Sequence, residues 1–221
     1  MVESKQMHES YFQTQRLIQE GGVDPIVRGI TTQVAQAIDS HAADSVRNFL
    51  FGPGQVAASA HGLDLVATNI QRGRDHGVPD YNTVRTSYGL APRESFSEIT
   101  ANASRATKLE KLYGSVDNLD LFVAGLCEDP VNGSLGETFG RIVEDQFVAM
   151  RDGDAHWFEA TLDEASAEAV RKYSGFADIL ARNVPGFEHD GGIFFAPEEG
   201  NGSDGWWTIP WILIGVVVVL M

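Results

Sequence analysis

The sequence predicts a mainly α-helical protein, and three observations support that fold class. Apolar residues recur at helical spacing along most of the 221 residues. The segments with this spacing begin at capping residues and end at glycines, as helices do. Strand patterns are scarce, and GGIFFA at residues 191–196 is the only good short one. With 43% hydrophobic and 21% charged residues, the composition is that of a globular chain with a core.

The first predicted helices are recognised by how they begin. Asp24 is expected as an N-cap with Pro25 at the first helical position, where the missing proline N–H costs nothing. A second helical pattern runs through SVRNFLF, residues 45–51. The next helix, DLVATNIQRGR at residues 64–74, ends at His76 and Gly77. Its spacing places four side chains on one face: Leu65, Thr68, Asn69 and Arg72.

The later helices are recognised mainly by how they end. PDYNTVRTSYG begins with Pro79 and ends at Gly89, and RATKLEKLYG ends at Gly114. LGETFGRIVEDQFVAMRDG is a long amphipathic helix that stops at Gly153. Its apolar side carries Phe139, Ile142, Val143, Phe147 and Met150. TLDEASAEAVRKYSG contains an expected capping box from Thr161 to Glu164.

Charge and motif content exclude several functions. The net charge of -15 repels phosphate backbones, so no nucleic acid partner is expected. Cys127 is the only cysteine, which rules out an internal disulfide framework and indicates a buried structural thiol. Nucleotide-binding loops, a GxSxG elbow and HExxH are absent, and no two histidines have i, i+4 spacing. RDGD at residues 151–154 offers too few oxygen ligands for calcium and indicates a solvated turn.

The C-terminal end indicates attachment to a membrane. Residues 206–221 carry no charge and begin with tryptophans, which suits a membrane anchor or a truncated transmembrane helix; a buried strand is the alternative. As a helix this segment spans about 24 Å, against a hydrocarbon core of about 30 Å. Residues 198–205 are predicted to be a flexible linker, following a domain at residues 1–197.

The charge distribution favours an extracellular or luminal location for this domain. No Lys or Arg follows Arg182, whereas positive charge accumulates on the cytoplasmic side of a membrane. N-x-[ST] sites at Asn102, Asn132 and Asn201 are then glycosylation candidates. The first residues lack a signal peptide, so export requires a signal upstream. The chain is therefore expected to be the C-terminal part of a longer product.

A polar cluster, TNIQRGRDHGVPDYN at residues 68–82, is the strongest candidate site. Asn69 and Arg72 lie one helical turn apart and offer an amide and a guanidinium fork, while Arg74 points elsewhere. Two interpretations are open on chemistry alone. The cluster is either a helix end stabilised by an Asp75–Arg ion pair, or a site for a ligand that carries a carboxylate.

The motif DLVATNIQRGRDHGVPDYN closely resembles the signature of the animal haem peroxidase family. Three further blocks are similar to that family in the same order: EGGVDPIVRGI, KLYGSVDNLDLFVAGLCEDPV and FVAMRDGDAHWFE. The resemblance runs from about Tyr11 to Phe195. It implies the C-terminal portion of the haem peroxidase helical fold, followed by a hydrophobic segment.

The resemblance implies haem b as the cofactor and two residues that support it. Asn69 corresponds to the asparagine that hydrogen-bonds the iron-ligating histidine, and Arg72 to the arginine near a haem propionate. Arg74, Asp75 and His76 are assigned a bracing role at the helix end. Hydrogen peroxide and small-molecule reductants are the implied partners, with a role in the response to oxidative stress.

The chain also departs from the family pattern. The family's axial histidine, distal acid–base residues, calcium loop and covalent haem-linking acids all precede the matched region. None of the six histidines here occupies the axial position. Tyr88 stands where the family often has a cysteine, which indicates a branch poor in disulfides. One hypothesis is therefore a fragment of a membrane-anchored haem peroxidase that is inactive alone. The alternative is a non-catalytic peroxidase-homology domain, as in dual oxidases, and a third class is a bare interaction domain.

Overall fold

A computed structural model describes residues 13–32, 37–48, 63–131, 135–172 and 175–188. In these ranges the chain is helical, which confirms the predicted fold class. The helices in chain order are α1 (Thr14–Gln19), α2 (Asp24–Thr32), α3 (Asp44–Arg47), α4 (Leu65–Asp75), α5 (Tyr81–Ser87), α6 (Ala103–Tyr113), α7 (Leu121–Cys127), α8 (Glu137–Gly153), α9 (Phe158–Thr161), α10 (Glu164–Arg171) and α11 (Phe176–Asn183). Two short 3₁₀ turns, Phe96–Glu98 and Val116–Asn118, connect α5 to α6 and α6 to α7.

The main apolar core lies between α5, α6, α7 and the first turns of α8. Tyr81 and Leu119 are fully buried, and Phe139 is 1% exposed. Other buried members are Val84, Phe96, Ile99, Ala106, Leu109, Val116, Leu121, Ala124 and Cys127. Burial of this apolar surface is what holds the short helices together, because helices of 7 to 11 residues are marginal in isolation.

A smaller cluster joins α2 to the end of α11. Leu180, Val184 and Phe187 are buried, and Val27 of α2 packs against them. Arg28 donates from Nη1 to the carbonyl oxygen of Gly186 at 3.1 Å, and its Nη2 also donates to the carbonyl of Pro185. Arg28 and these two acceptors are 158 and 157 residues apart in sequence, so α2 and the end of α11 are in contact although they are distant along the chain.

Several predicted helix ends are confirmed. Gly77, Gly89 and Gly114 have φ values of 67°, 74° and 71°, in the left-handed region that suits glycine at a helix C-terminus. The long helix ends at Gly153 as expected. The helix α2 starts at Asp24, one residue earlier than predicted. The strand pattern at 191–196 and the apolar segment at 206–221 lie outside the described residues.

Two predictions about the helices are wrong. Pro79 precedes the N-cap of α5, and Asp80 is the capping residue, accepting from the Thr83 N–H at 2.9 Å. No Thr161–Glu164 capping box forms. Thr161 instead donates to the Trp157 carbonyl, and α10 is capped by Asp163.

The apolar side of α8 is buried only at its beginning. Phe139 is in the core and Ile142 packs against it, whereas Phe147 and Met150 are 42% and 53% exposed. The helix extends beyond the elements that cover its first turns. Within the described ranges, no helix has the length and apolar character needed to cross a membrane.

Candidate functional site

The candidate site lies on α4, whose two ends are fixed by polar contacts. Asp64 caps the N-terminus by accepting from the Ala67 N–H at 2.9 Å. At the other end His76 donates from Nδ1 to the Arg72 carbonyl oxygen, and the Nδ1–O distance is 2.9 Å. The Val78 N–H donates to the Gly73 carbonyl at 2.9 Å and closes the turn. The residues expected to end this helix therefore do so.

Asn69 and Arg72 differ from their polar neighbours in the signature. Asn69 is half-buried and Arg72 is exposed. Neither side chain hydrogen-bonds to any residue in the described part of the chain. The other polar side chains of the signature are all bonded there: Thr68, Gln71, Arg74, Asp75, His76, Asp80, Tyr81 and Asn82. The amide and the guanidinium are thus the two groups that the local fold leaves available.

Arg74 is anchored to α7 rather than to its own helix. Its Nε and Nη2 donate to the two carboxylate oxygens of Asp120 at 3.0 and 2.6 Å, a two-point pair. Tyr113 donates its hydroxyl to the same carboxylate at 2.8 Å. The expected bracing role of Arg74 is supported, but the predicted Asp75–Arg pair is wrong. Asp75 accepts from Gln71 at 2.7 Å instead.

The contacts of Asp120 shift the pKa values of this group of side chains. The hydrogen bond from Arg74 lowers the pKa of the Asp120 carboxyl, since it favours the charged form. Burial and the neighbouring Asp120 charge raise the pKa of Tyr113, so its hydroxyl stays protonated well beyond neutral pH. The carboxylate therefore stays ionised and the phenol neutral, which keeps all three hydrogen bonds intact around neutral pH.

A second polar network, centred on Arg85 and Glu128, was not predicted from the sequence. The Arg85 side chain is 1% exposed and that of Glu128 is 4% exposed, with Nη1 and Oε1 3.1 Å apart. Tyr81 donates to the same Glu128 oxygen at 2.6 Å, and the Thr138 N–H donates to the other at 2.8 Å. Arg85 also reaches Glu137 at 2.7 Å. Buried charges need such partners, so this network is part of the core.

One signal in the sequence could have located this network. Glu128 is the first acidic residue after the apolar run of α7, within the KLYGSVDNLDLFVAGLCEDPV block. A buried carboxylate at the end of such an apolar helix requires a cation nearby. The cation is Arg85, which lies on the inner face of α5 one turn after the buried Tyr81.

The remaining candidates have structural roles. Cys127 is buried as predicted, and burial raises the pKa of its thiol, which makes it a poor nucleophile. In RDGD, Arg151 pairs with Asp152 at 2.7 Å on the surface, and Arg151 stands at a helix end as expected. The predicted solvated turn is wrong for residues 151–153, which form the last turn of α8. No group of three metal-ligating side chains occurs within the described ranges.

The arrangement on α4 fits two complementary ligand groups. A neutral amide oxygen accepts from an N–H such as that of imidazole, and a guanidinium fork binds a carboxylate. The two groups lie one turn apart on the same helix face, so a single extended ligand can meet both. The donor set therefore fits a haem with an imidazole ligand and a propionate.

Comparisons with known proteins show the family to which the chain is similar. Residues 2–191 match the animal haem peroxidase family. Peroxinectin A of Dictyostelium discoideum is 39% identical over 177 residues, covering 79% of this chain and 32% of that protein. Lactoperoxidase of Mesocricetus auratus is 36% identical over 186 residues, covering 80% of this chain and 26% of that protein.

A solved structure is similar as well. Peroxidase A from Dictyostelium discoideum aligns with a TM-score of 0.69 at 36% identity, over 82% of this chain and 35% of that one. The chain thus spans about a third or less of the length of these relatives. The match nevertheless covers nearly all of this sequence, from residue 2 to residue 191. The chain therefore belongs to the animal haem peroxidase family.

Proposed function

We propose that this chain is the haem-supporting part of a haem-dependent peroxidase that reduces hydrogen peroxide and oxidises small substrates. The observation that carries the proposal is the availability of Asn69 and Arg72. The polar side chains around them in the signature are bonded within the described residues, while these two are not. Family membership supplies the reaction class, and the chain's own geometry supplies the two supporting groups.

Asn69 would orient the axial imidazole of the haem iron. Its amide oxygen accepts the imidazole N–H, which fixes the ring orientation and raises the basicity of the ligand nitrogen. Because Asn69 is half-buried, this hydrogen bond is partly shielded from water and holds its partner more firmly than a surface contact. The imidazole itself comes from outside the motifs matched here.

Arg72 would hold a haem propionate. Its guanidinium presents two parallel N–H groups to a carboxylate, and α4 places them one turn from the Asn69 amide. When bound, the haem supplies the oxidising chemistry that peroxide cleavage needs. The residues of this chain keep the cofactor in place and set the orientation of its iron ligand. The proposal assigns no distal acid–base group to this chain, so we expect no peroxidase activity from this chain alone.

The test provides the imidazole ligand of the haem iron as free imidazole in solution. The full chain is mixed with ferric haem, with and without imidazole, and retained haem is measured by the Soret band after gel filtration. We expect weak retention of haem alone and tighter retention with imidazole. Asn69→Ala removes the gain due to imidazole. Arg72→Ala removes the preference for haem over its dimethyl ester, which lacks the carboxylates.

Matched controls separate these effects from adsorption to apolar surface. Asn183→Ala and Arg141→Ala change an exposed asparagine and an exposed arginine on α11 and α8, and should bind like the unmodified chain. Imidazole-dependent retention that is unaffected by Asn69→Ala would rule out the assigned role. No retention under any condition would favour the non-catalytic module.

We further propose that the protein is membrane-anchored through residues 206–221, with residues 1–197 on the extracellular or luminal side. Asn102 is compatible with N-glycosylation there. It is exposed, and its Oδ1 caps α6 by accepting from the Arg105 N–H at 3.0 Å, which leaves Nδ2 for a glycan. With a signal peptide placed upstream, the chain should resist carbonate extraction from membranes and lose mass on glycosidase treatment. Removing residues 206–221 should release it, and full solubility of the intact chain would refute the anchor.

A further inference from the structure

We propose that Arg74, Asp120 and Tyr113 form a positioning clamp that sets the rotation of α4 and thereby aims Asn69 and Arg72. The clamp does not touch the haem in this proposal; it acts through the helix that carries the two supporting residues. The inference rests on the proposed function of Asn69 and Arg72. It gives Arg74, whose role from the signature is bracing, a specific task, and it adds Asp120 and Tyr113 as its partners.

The first argument is that, in the part of the chain that the structure describes, apolar packing does not fix α4. None of its eleven residues is fully buried, although most neighbouring helices bury at least one. A helix held by half-buried side chains alone can rotate about its axis at little cost, because no large side chain is locked in a pocket. Some other contact has to define its orientation.

The second argument is the geometry of the ion pair. Two parallel hydrogen bonds, at 3.0 and 2.6 Å, fix both the distance and the angle between the Arg74 fork and the Asp120 carboxylate. Tyr113 restrains the carboxylate from α6 at 2.8 Å. The clamp thus links three helices, α4, α6 and α7, through one side chain.

The third argument is that Asp120 does not cap its own helix. It is the N-cap residue of α7, yet its carboxylate accepts no hydrogen bond from that helix. The N-cap aspartates of α4, α5 and α10 all accept a backbone N–H of their own helix: Asp64, Asp80 and Asp163. Capping typically contributes about 1 kcal/mol, so the fold forgoes this stabilisation to hold Arg74.

Backbone hydrogen bonding beside the clamp also fixes the end of α4 relative to the start of α7. Asp80 and Asp120 form an isolated antiparallel bridge, and the Tyr81 N–H donates to the Leu119 carbonyl at 3.0 Å. The chain that leaves α4 is therefore tied to the start of α7. The bridge holds the C-terminal end of α4, and Arg74 holds one side of the helix. Together these contacts allow α4 one rotation about its axis.

The test combines haem binding with amide hydrogen exchange on the full chain. Asp120→Asn keeps the side-chain shape but removes the charge, and Arg74→Lys keeps the charge but removes the two-point geometry. In both variants the amides of residues 69–73 should exchange roughly tenfold faster, while α5 and α6 keep their protection. Tyr113→Phe should have a smaller effect in the same direction, since the ion pair stays. Asp152→Asn, which breaks an exposed pair on α8, is the matched control.

The haem readout asks whether the clamp acts through Asn69. In the imidazole–haem assay, Arg74→Lys should weaken retention roughly tenfold, and adding Asn69→Ala to it should cause little further loss. Fully additive losses would mean that the clamp does not aim Asn69, and would overturn the proposal. Unchanged exchange at residues 69–73, or faster exchange spread evenly over the chain, would overturn it independently of haem. If the unmodified chain retains no haem with imidazole, the proposed function fails, and the exchange result still decides whether the clamp holds α4.

Discussion

Arg85 is the residue on which the interior of the molecule depends most. Its guanidinium is almost completely buried and still donates four hydrogen bonds. They go to the Ala91 carbonyl, Glu128, Thr138 and Glu137, with Nε–O and Nη–O distances from 2.7 to 3.1 Å. The Cζ atom of Arg85 lies 5.6 Å from the centre of the Tyr81 ring. A buried ion pair of this kind contributes little net stability over an apolar core. Losing one partner is costly, however, because the other charge is then buried alone.

We expect Arg85→Met to lower the free energy of unfolding by about 3–5 kcal/mol, since it leaves the Glu128 carboxylate buried without its cation. The measurement is chemical denaturation of the full chain followed by far-UV circular dichroism. Arg141→Met is the matched control, because the Arg141–Glu144 pair at 3.2 Å is exposed on both sides. That variant should change stability by less than about 1 kcal/mol. Equal effects from both variants would contradict the structural role assigned to Arg85.

At the scale of elements, the contact between α7 and α8 depends on a glycine. A Cβ atom built on Gly125 would overlap the ring of Phe139, one of the most deeply buried side chains. Gly140, one residue further along α8, has open space where a Cβ would be. The two helices can approach closely only because one of them has no side chain at the crossing point.

Gly125→Ala should therefore destabilise the fold by about 1–3 kcal/mol, as added volume does in a packed core. Gly140→Ala should be neutral or stabilise by up to about 1 kcal/mol, because alanine favours the helix and meets nothing. The difference between the two midpoints of denaturation is the quantity to compare. A loss from Gly140→Ala as large as that from Gly125→Ala would show that the α7–α8 packing differs from that described.

The start of α10 gives a second prediction at this scale. Asp163 caps the helix by accepting from the Ser166 N–H at 3.0 Å, and the Ser166 hydroxyl returns a bond to its carboxylate at 2.8 Å. Asp163→Ala should cost about 0.5–2 kcal/mol of local stability, measured by amide exchange within α10. Thr161→Ala, at the position that the sequence pattern suggested as the cap, should leave that exchange nearly unchanged. The reverse order would restore the Thr161–Glu164 interpretation.

Local signals in the sequence predicted the helices well and their partners poorly. The glycines at 77, 89, 114 and 153 mark helix ends correctly, because backbone conformation is a property of a few neighbouring residues. The Asp163 cap was not predicted because Thr161–Glu164 satisfies the capping-box pattern, whereas Asp163 is followed three residues later by Ser166 rather than by Glu or Gln. The Arg74–Asp120 and Arg85–Glu128 pairs lie 46 and 43 residues apart, so spacing alone could not reveal them. Asn69 and Arg72 were identified by their shared helix face and by the signature, while their role toward haem stays a prediction.

For the molecule as a whole, the negative net charge and the buried Tyr81 both lower the stability of the fold at high pH. The chain carries 31 acidic and 16 basic residues, so further ionisation increases its self-repulsion. Tyr81 is fully buried and donates to Glu128 at 2.6 Å. Burial, with the Glu128 hydrogen bond and charge as the next causes, raises the pKa of Tyr81 from 10.0 to about 12.

Because the folded state binds this proton more tightly than the unfolded state, the stabilisation is complete below pH 10 and is lost as pH rises toward about 12. The loss at this site should be on the order of 2–3 kcal/mol. The measurement is the free energy of unfolding at several pH values across this range.

Tyr81→Phe should be less stable at neutral pH, where Glu128 loses a donor, but its stability should fall less steeply at high pH. Tyr88→Phe removes a hydroxyl outside this network and serves as the matched control, with the slope of the unmodified chain. Charge repulsion is common to all three proteins, so only a difference in slope reports on Tyr81, and parallel curves would contradict its buried, protonated state.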